Sequence, residues 1–157
     1  MAEFPAVTIY SDGACVGNPG RGGYGTVLLA GAHRKELSAG FARTTNNRME
    51  LLGAIVGLEA LKGPCRVELW SDSQYVVHAM TKGWLDGWQR KGWRTSGKEP
   101  VKNRDLWERL LRAIAPHTIK WQWVRGHTGN PENERCDELA VAAANGADLA
   151  EDTGYDG

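Results

Sequence analysis

The chain predicts an α/β fold: a five-stranded mixed sheet, with three strands in an antiparallel meander and two parallel, flanked by helices on both faces. Three observations lead there. Residues 7–43 carry three short runs of strand character joined by turn-length links. The remainder alternates helical stretches with two further strands. The third observation is an echo: Ile9-Tyr10-Ser11-Asp12-Gly13 and Leu69-Trp70-Ser71-Asp72-Ser73 are both apolar-alternating runs that end in Ser-Asp before a small residue. Ligands bind parallel sheets at the C-terminal edge, so a carboxylate there on two strands marks a candidate site.

The first strand is read over 7–12, where Val7-Thr8-Ile9-Tyr10 alternates β-branched and aromatic residues. Gly25–Ala32 and Lys35–Arg43 are the next two, split by the turn-like Gly31-Ala32-His33-Arg34. The glycine-rich 17–25 stretch fails as a phosphate loop, because no Gly-Lys-Ser/Thr and no helix comes next. It reads as a tight strand connection with close backbone approach. Asn47–Leu61 predicts a helix, with Asn47 and Glu50 in a capping-box pattern and Gly63-Pro64 as the stop. Gly53 and Gly57 inside it each cost up to about 1 kcal/mol of helix propensity, offset by closer helix–sheet contact. Arg66–Ser71 is the fourth strand, and Ser73–Lys82 and Trp84–Arg90 are short helices. Asp105–Ala115 is a helix ended before Pro116, and Thr118–Val124 is the fifth strand. Asn130-Pro131 supplies an N-cap and N1 proline for a last helix reaching about Asn145. Residues 146–157 read as an irregular tail.

The 157 residues suit one domain, and 41% hydrophobic with 24% charged residues is ordinary for a globular chain. No apolar stretch approaches the roughly 20 residues that span a bilayer. The N-terminal residues lack the basic and apolar regions of a secretory signal. Cys15, Cys65 and Cys136 follow no metal-binding spacing, so a reducing cytoplasm is the expected compartment. Net charge is zero, which argues against a strong general affinity for nucleic acid. The average hides an asymmetry. Arg90, Lys91, Arg94, Lys98, Lys102 and Arg104 face the single acid Glu99, whereas the tail holds Asp148, Glu151, Asp152 and Asp156 with no base.

If the two Ser-Asp strands are neighbours, about 4.8 Å apart, Asp12 and Asp72 stand side by side. Adjacent anions repel, so one keeps a proton or a cation sits between them. The plainer alternative is that each caps a turn. Glu50 shares a helix face with Ala54, Gly57 and Leu61 and is expected to point toward the sheet, or else to serve the capping box. Asp137 lies two turns into the last helix, on the face with Ala140, Val141 and Ala144, and taken alone it reads as solvent-facing.

These residues sit in segments that resemble type 1 ribonuclease H. The stretches are Ser11-Asp12-Gly13 with Gly17-Asn18-Pro19-Gly20; Thr44-Thr45-Asn46-Asn47-Arg48-Met49-Glu50-Leu51; Ser71-Asp72-Ser73-Gln74-Tyr75-Val76; Lys102-Asn103-Arg104-Asp105-Leu106-Trp107; Trp123-Val124-Arg125-Gly126-His127; and Asn133-Glu134-Arg135-Cys136-Asp137-Glu138-Leu139-Ala140. They run in family order from about residue 7 to residue 144. The resemblance implies a ribonuclease H-like fold with the first and fourth strands adjacent and parallel. It implies endonucleolytic hydrolysis of the RNA strand of an RNA–DNA hybrid, leaving 5′-phosphate and 3′-hydroxyl ends. By the same resemblance Asp12, Glu50, Asp72 and Asp137 hold two Mg²⁺ ions, with Mn²⁺ able to stand in, and His127 assists by relaying a proton or aiding product release. The chemistry agrees: hard carboxylate oxygens suit Mg²⁺, and two cations ~4 Å apart can activate water and stabilise the leaving alkoxide.

The resemblance further sets Cys15, Asn18, Asn46 and Gln74 against the minor groove, where 2′-hydroxyls distinguish RNA. It assigns residues 84–104 to a basic protrusion, with Trp84 beside the DNA strand and Lys91, Arg94 and Lys102 near its phosphates. A DNA-phosphate pocket is implied at Arg43, Thr45 and Asn103. Trp84 and Trp88 are one helical turn apart, so a packed helix face is expected for at least one of them. Gly97 and Glu99 make the protrusion milder than in more basic relatives. No obligate protein partner or oligomer is implied, and no membrane. Competing readings are a DNA-cutting nuclease of the same fold and a binding module with a dead site; the latter requires a missing acid, and none is missing.

Overall fold

The computed structural model describes residues 4–126 and 128–155. Its elements in chain order are β1 (Ala6–Val16), β2 (Gly20–Ala30), β3 (His33–Thr44), α1 (Asn46–Glu59), β4 (Arg66–Ser71), α2 (Gln74–Thr81), α3 (Trp84–Arg90), α4 (Arg104–Ile114), β5 (Thr118–Trp123), α5 (Pro131–Ala144) and β6 (Leu149–Ala150). The sheet order is β5-β4-β1-β2-β3-β6. β1, β2 and β3 form the expected antiparallel meander, and β4 runs parallel to both β1 and β5.

The sheet has six strands where five were expected. β6 pairs parallel with β3 through Gly40–Leu149 and Phe41–Ala150, so the start of the acidic tail is ordered against the sheet edge. A buried cation anchors the residues after β6. Arg48, only 2% exposed, donates from Nε to Asp152 at 2.7 Å and from Nη1 and Nη2 to Asp105 at 2.8 and 2.7 Å. Thr44 Oγ1 adds a 2.6 Å hydrogen bond to Asp152. Breaking one partner of a buried ion pair costs about 3–5 kcal/mol, so the Arg48 guanidinium favours conformations that keep Asp152 against it.

β2 begins at Gly20 rather than Gly25 because glycine's poor strand propensity is overridden by packing. A side chain at Gly25 would bring its Cβ to 2.2 Å from the Cys136 carbonyl oxygen, and one at Gly23 to 2.6 Å from that of Ala140. The glycines are what let α5 lie directly on the sheet. Helix α1 uses the same device. A Cβ on Gly57 would lie 2.9 Å from Ile9 Cγ2, and the Gly53 carbonyl accepts a 2.7 Å hydrogen bond from Thr26 Oγ1. The propensity lost at these two glycines is thus matched by a close seat on β1 and β2.

The N-terminus of α1 departs from the capping-box expectation. Thr45, not Asn47, is the N-cap; its side chain accepts from the Arg48 backbone N–H at 3.3 Å. Glu50 is therefore free of the cap and turns into the interior. The core sits between the sheet and α1, α2 and α4, with Ile9, Leu51, Ile55, Leu69, Trp107 and Leu110 fully buried. Among the described residues no helix is long and apolar enough to cross a membrane.

Substituting Gly25→Ala forces α5 off β2 and is expected to cost about 1–3 kcal/mol, as overpacking typically does. Urea unfolding midpoints of the parent and variant check this, and an unchanged midpoint contradicts the packing argument.

Candidate active site

The parallel ladder between β1 and β4 ends at Ser11 opposite Ser71. β1 itself continues to Val16 against β2, so Asp12 does not end its strand as the sequence suggested; it sits where the parallel pairing ends, opposite Gly25. Asp72 comes directly after Ser71. Ser73 then caps α2 by accepting from the Val76 N–H at 3.2 Å, which turns the chain away and leaves Asp72 at the mouth.

Glu50 arrives from α1, and Gly13 admits it. A Cβ at Gly13 would stand 2.5 Å from the Glu50 backbone nitrogen, so only glycine after Asp12 allows the first turn of α1 this close. As a result Asp12, Glu50 and Asp72 offer carboxylate oxygens that all lie within 4.8 Å of one another. Asp12 and Glu50 are buried, and Asp72 is half-buried. Gly13 N–H donates to Asp12 Oδ1 at 2.8 Å, while Glu50 Oε2 is buried with no hydrogen-bond partner among the described residues.

This arrangement resists full ionisation. Burial, and after it the charge of Asp72, pushes the Asp12 carboxyl up to about 8. Burial and then the charge of Asp12 raise Glu50 well above the usual carboxylate range. Three anions in low dielectric either share protons or gather a cation, and an all-oxygen donor set with an orphaned oxygen fits a hard divalent ion. Asp137 lies outside the 4.8 Å set. It is half-buried on α5 rather than solvent-facing, and its charge also acts on Asp12. Ala140 and Ala144 on this helix are buried, whereas Val141 is 43% exposed and does not share their face.

The loop after β5 reaches the same place. Trp123 Nε1 donates to the Asp72 carbonyl at 3.1 Å, and a Cβ on Gly126 would meet Asp72 Oδ2 at 2.7 Å. His127 lies outside the described residues. Sequence reasoning gives no role to Gly13 or Gly126, although each is a glycine immediately beside a chemistry-bearing residue.

The family model for RNase H matches residues 5–145. The chain belongs to the type 1 ribonuclease H family. It is 60% identical over 149 residues to a ribonuclease H of Aeromonas salmonicida, which covers 95% of this chain and 96% of that protein. Among solved structures, LC9-RNase H1 superposes with a TM-score of 0.82 at 34% identity, covering 92% of this chain and 74% of the other. LC11-RNase H1, solved in complex with an RNA/DNA hybrid, gives 0.65 at 25% identity, with 88% and 96% covered. This ribonuclease H is accordingly a phosphodiester hydrolase whose acidic cluster is compatible with divalent metal binding.

The remaining sequence-derived residues fall into three groups. Cys15 and Asn18 flank the β1–β2 turn. Cys15 Sγ donates to the Thr44 carbonyl at 3.4 Å, and burial raises its thiol pKa. Asn18 Oδ1 accepts the Asn46 N–H at 3.0 Å, which ties that turn to the start of α1. Gln74 is exposed at the first position of α2.

The basic stretch forms the second group. Lys91, Arg94 and Lys102 are exposed, and Arg94 Nη1 donates to the Lys98 carbonyl at 3.1 Å. Trp84 is 41% exposed, whereas Trp88 packs on Trp107 with ring centroids 5.4 Å apart. One of the pair is therefore the packed residue.

The third group, Arg43, Thr45 and Asn103, lines two adjoining hollows that share Tyr155. Thr45 and Asn103 line one open cleft of about 760 Å³ together with Asn18, Lys102 and Arg48. Arg43 lines a neighbouring depression beside Leu149 and Asp152 instead. Sequence reasoning passes over Arg48 because a basic residue in a first helical turn looks like a solvated face; only the fold buries it between two carboxylates.

Because Asp12 ionises in the unfolded chain near its ordinary value but in the folded chain only near pH 8, its contribution to stability falls as pH rises from about 4 to about 8. In chelator, Asp12→Asn is expected to melt above the parent at pH 8 and to converge with it below pH 4. The gain is about 2–4 °C for each kcal/mol of repulsion removed. Mg²⁺ should stabilise the parent more at pH 8 than at pH 5. Thermal scans across pH with and without Mg²⁺ test both, and a variant that melts no higher than the parent at pH 8 contradicts the repulsion argument.

Proposed function

We propose that this ribonuclease H cleaves the RNA strand of an RNA–DNA hybrid internally, leaving 5′-phosphate and 3′-hydroxyl ends, with two Mg²⁺ ions at the site. The observation that carries the reading is the convergence of Asp12, Glu50 and Asp72 from three elements, with Asp137 close enough to act on Asp12. The hybrid bound by LC11-RNase H1 supports the substrate class.

When bound, the divalent ions supply Lewis acidity toward the phosphate and lower the pKa of water. Asp12, Glu50, Asp72 and Asp137 are the residues that would hold them. The chain's own part is orientation. Gly13 N–H fixes one oxygen of Asp12, and the buried position of Glu50 keeps bulk water from screening its charge. His127, in the loop after Gly126, is assigned an assisting proton transfer, so that its loss slows the reaction less than loss of Asp12.

Cys15, Asn18, Asn46 and Gln74 are assigned to the RNA minor groove, where contact with the 2′-hydroxyl supplies discrimination. Arg43, Thr45 and Asn103 are assigned to a DNA phosphate, with Thr45 and Asn103 lining the cleft. Trp84, Lys91, Arg94 and Lys102 are assigned to the DNA strand nearby. Such contacts position the duplex without reading bases, so cleavage is largely sequence-independent.

A labelled hybrid incubated with Mg²⁺ should be cut, while matched DNA and RNA duplexes stay intact. Chelator should abolish cutting, and Asp12→Asn should lower kcat by at least about 10³-fold, equivalent to roughly 4 kcal/mol of barrier. A cleaved DNA duplex, or cutting that persists in chelator, contradicts the proposal. Hybrid binding should also weaken with salt. Lys91→Ala and Lys102→Ala should each reduce the slope of log K against log salt by about 1, read from binding titrations over a range of ionic strength.

A further inference from the structure

Tyr75 sits in the first turn of α2, three positions beyond Asp72, with its ring tilted against the fully buried Trp107 at a centroid distance of 5.3 Å. Its phenol oxygen lies 3.1 Å from both Asn103 Nδ2 and Trp107 Nε1. An indole N–H only donates, so the phenol oxygen accepts from Trp107. The other end of the Asn103 carboxamide, Oδ1, faces Arg48 Nη1 at 3.4 Å. A guanidinium also only donates, so Oδ1 must face Arg48 and Nδ2 must face Tyr75. The amide is therefore held at both ends and cannot flip without setting donor against donor.

Asn103 itself opens α4 from a left-handed backbone conformation, with φ of 63°. With backbone and amide both fixed, one Nδ2 hydrogen remains uncommitted, and Asn103 lines the cleft assigned to a phosphate. We propose that Tyr75 is a positioning residue: its phenol oxygen aims Asn103 at the DNA-strand phosphate while α2 ties that aim to Asp72. The inference rests on the phosphate reading of the cleft. It gives Tyr75 a part in substrate binding that its half-buried place beside Trp107 would otherwise assign to packing.

The test is a double-mutant cycle on the full chain with a labelled hybrid and Mg²⁺, run well below the melting temperature of every variant. Tyr75→Phe keeps the ring and removes only the acceptor. It should raise KM about 10-fold with kcat within about twofold, the scale of one misdirected hydrogen bond to a charged group. Asn103→Ala should raise KM at least as much, and Tyr75→Phe should then add nothing in the Asn103→Ala background. An unchanged KM in Tyr75→Phe, beside a raised one in Asn103→Ala, overturns the positioning role and leaves the phosphate reading intact. An equal rise in both backgrounds also overturns it, because Tyr75 would then act through Trp107. An unchanged KM in Asn103→Ala overturns the phosphate reading and the positioning role with it.

Discussion

Three carboxylates within 4.8 Å of one another, two of them buried, repel one another, and the surrounding fold holds them together against that repulsion. Each acid comes from a different element: Asp12 from β1, Asp72 from the end of β4, and Glu50 from α1. Parallel pairing brings the first two together. The third needs a helix seated unusually close to a strand, which Gly13 and Gly57 make room for. The acids therefore meet without depending on one another's attraction, and their cluster is compatible with a divalent cation that would turn the repulsion into binding energy.

A second charged arrangement has the opposite balance. Arg48 is a single buried cation between Asp105 and Asp152; burial disfavours its charge, and the paired carboxylates outweigh that and keep it protonated. It joins α1, α4 and the tail at one point. Lying beside Thr45 and Asn103, it also gives the cleft a wall that is rigid rather than strongly cationic. The contrast with the exposed Lys91, Arg94 and Lys102 suits two kinds of contact, one governed by shape and one by salt-sensitive attraction.

The nearness of Asp12 to Asp72 was legible because strand periodicity and a repeated Ser-Asp ending are local signals. The meander and the order of helices were legible for the same reason. The glycines of β2 were not, since their function is to make room for an α5 that lies about a hundred residues later. The cap of α1 was not legible either, because Asn47 and Thr45 are both good N-caps, and the choice between them depends on where β3 releases the chain.

By itself the sequence determined which strands carry a Ser-Asp step, and with it the chemistry: oxygen donors, in order, on elements whose periodicity is local. Tertiary structure decided which acids approach closely, which basic residue is buried, and that the tail adds a sixth strand. Those outcomes depend on contacts between segments far apart in the chain, where a missing Cβ or one buried charge outweighs local propensity.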